Sequence, residues 1–121
     1  MLTDFYQTER YESEDGTVRA TIRLHSQHDI FKGHFPNNPV TPGVCMLQIF
    51  KELSEKYLQK KLQITECSNV KFMALINPET HPVLQLNLTL SETETGVFKV
   101  KATAAFEDTT AIKLNIVLTQ K

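Results

Sequence analysis

Residues 41–61 read Thr41-Pro42-Gly43-Val44-Cys45-Met46-Leu47-Gln48-Ile49-Phe50-Lys51-Glu52-Leu53-Ser54-Glu55-Lys56-Tyr57-Leu58-Gln59-Lys60-Lys61. Thr41 suits the N-cap of a helix. Pro42 suits its first turn, where a missing N–H costs nothing. From Gly43 to about Lys61 no proline intervenes, and Met46, Ile49, Phe50, Leu53 and Tyr57 recur at helical spacing. Val44 and Leu47 add apolar residues off that stripe, so the helix is expected to be buried at its start and solvated at its end. Lys56, Lys60 and Lys61 close it where cations favour the dipole.

Outward from this helix the pattern is all strand. Phe5 to Glu12 leads into Asp15-Gly16, a tight-turn dipeptide, and Val18, Ala20, Ile22 and Leu24 then alternate with polar residues. Beyond Leu62, residues Ile64 to Ile76 alternate loosely and stop at Asn77-Pro78. Leu84 to Leu90 alternates cleanly. A turn at Glu94–Gly96 precedes Phe98 to Phe106, and Glu107-Asp108-Thr109 turns the chain into Ile112 to Leu118. One helix among such strands predicts an α+β domain over residues 1–121, with an antiparallel sheet of five to six strands around the helix. A lone sheet would leave its other face and its edges uncovered, which predicts a dimer.

Composition agrees. Leu, Ile, Val and Phe make up 35 of 121 residues, enough for one core, and the formal charge is −1. Nucleic acid and anionic membranes call for a basic excess that is missing. No apolar run reaches the ~18 residues of a membrane span, and the first residues lack a signal-peptide apolar region. Cys45 and Cys67 form no disulfide framework, which fits a reducing cytoplasm. They and the histidines show no metal-ligand spacing, and Cys45 has no base in its sequence neighbourhood to activate it. His25 and His28, at the end of the second strand, read as surface or packing residues.

The chain holds only nine glycines and prolines, yet Gly33, Pro36, Pro39, Pro42 and Gly43 crowd into eleven residues. This stiff loop feeds the helix N-terminus, whose unpaired N–H groups suit an anion or a polarised carbonyl oxygen. His34 lies on it and titrates near neutrality. A base beside an oxyanion site is what proton abstraction next to a carbonyl requires. A proline-rich loop that merely contains a histidine has the same spacing.

The stretch Phe31-Lys32-Gly33-His34-Phe35-Pro36, with Pro39-Val40 and Pro42-Gly43-Val44, resembles the signature of the 3-hydroxyacyl-acyl-carrier-protein dehydratases. Asn69-Val70-Lys71-Phe72 is a weaker echo. The resemblance implies the hotdog fold and conversion of a 3-hydroxyacyl thioester to the trans-2-enoyl thioester, in fatty-acid or related biosynthesis. It implies no cofactor. Acyl carrier protein, or coenzyme A, would carry the acyl chain, and the site would form in a homodimer, an oligomer of dimers or a heterodimer. It assigns His34 as base and the N–H groups of Gly43 and Val44 as carbonyl donors. The acyl chain would line up with Phe31, Phe35, Pro36, Pro42, Met46 and Phe72, although Phe31, Phe35, Met46, Phe72 and Met73 serve a core equally well.

One departure stands out. The family's helix carboxylate, contributed by the other subunit, falls at Gln48, whose amide donates no titratable proton. Glu52 and Glu55 lie roughly 6 to 10 Å further along the axis, too far by backbone position to replace it. A non-catalytic hotdog subunit that binds acyl thioesters or completes an active partner is therefore the competing expectation. A thioesterase is a third, though it too would want an acid at Gln48. Lys32, Lys51, Lys56, Lys60 and Lys61 could meet an acidic carrier, or form an ordinary solvated helix face.

Overall fold

The computed structural model describes residues 5–26 and 43–121. Strands β1 (Tyr6–Glu14) and β2 (Thr17–Leu24) form the expected hairpin. Its turn residues Asp15 and Gly16 both take positive φ, 46° and 82°, the primed-turn conformation that matches strand twist. Gly16 is also held from two sides. Its N–H donates to the Tyr57 hydroxyl at 2.9 Å, and its carbonyl accepts from the Leu90 N–H at 2.7 Å. A Cβ there would lie 2.9 Å from the Leu90 carbonyl oxygen. Gly16→Ala is therefore expected to destabilise the fold by about 1–3 kcal/mol, read as a lower urea midpoint at unchanged slope.

Helix α1 spans Gly43–Leu58. The expected N-cap Thr41 and first-turn Pro42 lie outside the described residues. Its C-terminus comes earlier than the expected Lys61. Gln59 turns left-handed at φ 55°, and its side chain donates to the Lys56 carbonyl at 2.6 Å. The Glu55 carboxylate then accepts from the Leu62 N–H at 2.8 Å, fastening the helix end to the next strand. Cys45, Met46, Ile49, Phe50, Leu53 and Ser54 are buried, the Ser54 hydroxyl donating to the Phe50 carbonyl. The helix start is not buried all round, since Val44 is 71% exposed.

Four further strands follow: β3 (Leu62–Phe72), β4 (Val83–Glu94), β5 (Val97–Phe106) and β6 (Thr109–Gln120). The sheet order is β1-β2-β4-β5-β6-β3, every pair antiparallel. One face supplies Val18, Ile22, Leu86, Val100, Leu114 and Ile116 to a core shared with α1. This is the α+β hotdog architecture, with one helix and six strands among the described residues.

The opposite face differs from the expectation that it needs a cover. It is set with exposed Arg19, Gln85, Asn87, Lys99, Lys101 and Lys113, which water solvates. Among the described residues the large exposed apolar side chains lie elsewhere, at Val44, Val70, Phe72, Met73 and Leu75, that is, at the helix start and along and just beyond the edge strand β3.

Candidate active site

Gly43 opens α1 beside the end of β3. A Cβ at Gly43 would come 3.1 Å from the Cζ of Phe72, so the missing side chain lets that ring lie against the first helical residue. Phe72 is 63% exposed, and the exposed Val44 follows Gly43 on the helix. The structure thus brings Gly43, Val44 and Phe72 to one corner of the fold. Met46 goes the other way, fully buried in the core. Phe31, His34, Phe35, Pro36 and Pro42 lie outside the described residues.

Gln48 is half-buried, off the stripe of buried residues along the helix. Its Nε2 donates to Glu52 Oε2 at 3.0 Å. Four residues apart on a helix are neighbours in space, and two long side chains close the backbone gap that separated them in the sequence reading. The other oxygen of Glu52, Oε1, accepts from the Tyr6 hydroxyl at 2.6 Å. Tyr6 belongs to β1, so the bond ties the helix to the far edge of the sheet. Burial, followed by the hydrogen bond to Glu52 and its negative charge, holds the Tyr6 phenol well above the ordinary tyrosine range. Tyr6 therefore remains a donor at neutral pH.

Sequence reading missed the Tyr6–Glu52–Gln48 chain. The spacing of Gln48 and Glu52 was a usable signal for one link. Tyr6, 46 residues from Glu52, carries no local sign of its partner. Glu55 is occupied with the Leu62 N–H. Burial raises the Cys45 thiol above its ordinary value, which leaves it a poor nucleophile. His25 Nε2 lies 3.3 Å from Gln7 Oε1 on the neighbouring strand. The helix-end lysines do not form a one-signed face: Lys56 lies 4.3 Å from the centre of the Tyr11 ring, and Glu52 and Glu55 share the surface with Lys60 and Lys61. Among the described residues no cluster of three His, Cys, Asp or Glu is placed to hold a metal ion, and no helix is long and apolar enough to cross a membrane.

Known proteins supply the context for this corner. The family profile of ApeI-like dehydratases (ApeI dehydratase) matches residues 9–112. A FabZ 3-hydroxyacyl-[acyl-carrier-protein] dehydratase of Lactobacillus helveticus is 32% identical over 102 residues, covering 78% of this chain and 68% of that protein. FabZ of a Caulobacter species is 28% identical over 88 residues, covering 67% of this chain but 54% of the relative. Among solved structures, the dehydratase heterocomplex ApeI:P of Xenorhabdus doucetiae superposes with a TM-score of 0.76 at 22% identity, covering 94% of this chain and 97% of that one. A hypothetical thioesterase with coenzyme A from Streptococcus pneumoniae gives 0.70 at 11% identity over 100% of this chain and 91% of its own. The structural likenesses establish the fold, and the match over residues 9–112 establishes the lineage: the chain belongs to the ApeI-like dehydratase family.

Proposed function

We propose that this chain, acting as a single hotdog domain, eliminates water from a 3-hydroxyacyl thioester carried on acyl carrier protein, giving the trans-2-enoyl thioester. The observation that carries the reading is the corner at Gly43. There α1 begins directly after the His34-to-Pro42 motif in sequence, with Val44 exposed and the Phe72 ring against it. In a helix beginning at that point the first N–H groups lack intrahelical acceptors and carry the positive end of the dipole. Those of Gly43 and Val44 would hold the thioester oxygen. His34 would take the proton from the α-carbon, and the C–H electron pair would pass into the enolate. The enolate would then expel the 3-hydroxyl, which takes a proton from the His34 imidazolium and departs as water. Gln48 would hold the hydroxyl in place. The cytoplasm, where acyl carriers are found, is the proposed setting. The test is purified protein with 3-hydroxyacyl-carrier protein, followed by mass for loss of one water. An unchanged substrate, under conditions where a carboxylate-bearing relative works, defeats the proposal, and release of free thiol would point to hydrolysis.

The site is proposed to be completed by a second chain. Among the described residues β3 pairs with β6 on one side only, and Val70, Phe72, Met73 and Leu75 stand exposed along it and just beyond. An open strand edge lined with apolar side chains invites a like edge. Val70→Asp, placing a charge in that edge, is expected to weaken self-association by at least about tenfold. Sedimentation of wild type and variant over a dilution series checks it.

Gln48 supports a second reading, in which the partner is a different, carboxylate-bearing dehydratase. The Xenorhabdus doucetiae neighbour is a dehydratase heterocomplex. Under this reading the chain is silent alone and contributes to turnover only when mixed with such a partner.

A further inference from the structure

We propose that Tyr6 and Glu52 are positioning residues that fix the orientation of the Gln48 amide, and so decide which of its atoms meets the substrate's 3-hydroxyl; the inference rests on the role given to Gln48 above. A free glutamine amide presents its oxygen or its nitrogen almost equally well, since the two ends are nearly the same size. Glu52 removes that freedom. A carboxylate only accepts, so the amide end 3.0 Å from Glu52 Oε2 is the nitrogen. The carboxylate is itself held, because the Tyr6 hydroxyl donates to its other oxygen at 2.6 Å from β1. That distance is short, as expected for a bond to a charged acceptor.

Two consequences follow. Both oxygens of Glu52 already accept hydrogen bonds, one from Gln48 Nε2 and one from the Tyr6 hydroxyl, so Glu52 is tied to its neighbours and Gln48 is the side chain left to meet the substrate. With its nitrogen turned to Glu52, the amide offers Oε1 to a third group. A substrate hydroxyl donating to Oε1 keeps its oxygen lone pairs free to take the proton from a histidine imidazolium. In the opposite orientation the amide N–H would occupy a lone pair and compete with that transfer.

The test combines two readouts on the intact protein. The side-chain amide signals of Gln48, assigned by their loss in Gln48→Ala, are recorded by NMR in wild type, Tyr6→Phe and Glu52→Ala. Both variants are expected to move these signals toward free-amide positions. In the dehydration assay each is expected to lower kcat by about tenfold, with KM within about twofold of wild type, and neither to lower it further in the Gln48→Ala background. Glu52→Gln, which can still accept one bond, is expected to recover part of the loss. Unmoved amide signals overturn the inference. So does a kcat loss that persists in full when Gln48 is already alanine, since that is a purely structural effect. If wild type turns over no substrate, the dehydratase reading falls, and the amide signals alone decide whether Gln48 is held as proposed.

Discussion

Replacing His34 with alanine is expected to lower the rate of dehydration by about 10²- to 10⁴-fold, the usual contribution of a positioned general base. The size of the effect follows from what else the motif contains. Between Phe31 and Val44 the remaining side chains are apolar, amide or hydroxyl, apart from Lys32, and a lysine amine is almost wholly protonated at neutral pH. Nothing else in that loop can take a proton from carbon. His34 has a second duty in the proposed sequence, because Gln48 supplies no proton and the imidazolium must return one to the departing hydroxyl. His34→Gln keeps hydrogen-bonding capacity without the titration, so it should fall as far as alanine. With wild type, kcat/KM should decline in acid, because a protonated imidazole cannot act as base. Steady-state kinetics of the three proteins across pH checks this, and variants that retain more than a third of the rate would remove His34 from the chemistry.

The sheet was legible wherever one face is dry and the other wet. Leu84, Leu86, Leu88 and Leu90 are all buried and their neighbours Gln85, Asn87 and Thr89 exposed, so period two shows directly in the sequence. The looseness of residues 64–76 also has a physical cause. β3 is an edge strand whose register against β6 slips between Ile64 and Glu66 and again between Ser68 and Lys71, and Asn69 takes a φ of 53°. Each slip resets the alternation, and an edge that is exposed nearly throughout imposes little pattern to begin with. The end of α1 was misplaced because Lys60 and Lys61 suit a helix terminus by charge. The turn is made instead by Gln59 in a left-handed conformation and by Glu55 reaching Leu62, neither of which a charge argument detects.

Gly43 was singled out by local chemistry, since a helix start and a glycine that admits a neighbour are written in consecutive residues, and Val44 by the family resemblance. The neighbour admitted proved to be the Phe72 ring. Tyr6 was not found, because its role depends on β1 lying across the sheet from the helix. Met46 shows the limit of a helical stripe as a guide to ligands: its burial is complete, as a core residue requires and as an acyl-chain wall would also show.

Gln48→Glu is expected to raise turnover by about 10²-fold, the lower end of what a general acid contributes, and to do so because of Glu52. In wild type the amide donates to Glu52 Oε2 at 3.0 Å while Tyr6 donates to Oε1. Exchanging the amide for a carboxyl removes a donor and sets two acids in contact. They cannot both be charged at that distance without strong repulsion, so the pair retains a proton to a higher pH than either acid would alone. The Tyr6 hydroxyl still donates to Glu52, which makes the introduced carboxyl the expected carrier of the pair's proton. That is a neutral acid at the position where the departing hydroxyl needs one. The same coupling costs stability, with a definite sign. A carboxyl whose folded-state pKa is raised keeps the fold at full stability below its unfolded value, near 4, and stability is lost as pH rises through the raised folded value. The variant should therefore match wild type in acid and unfold at lower urea than wild type at neutral pH. Glu52→Gln added to it should restore the neutral-pH midpoint and remove part of the rate gain, because the proton is no longer shared. A rate unchanged by Gln48→Glu would mean that His34 carries both protons unaided. Activity appearing where wild type had none would mean that the natural chain works through a carboxylate borrowed from a different partner.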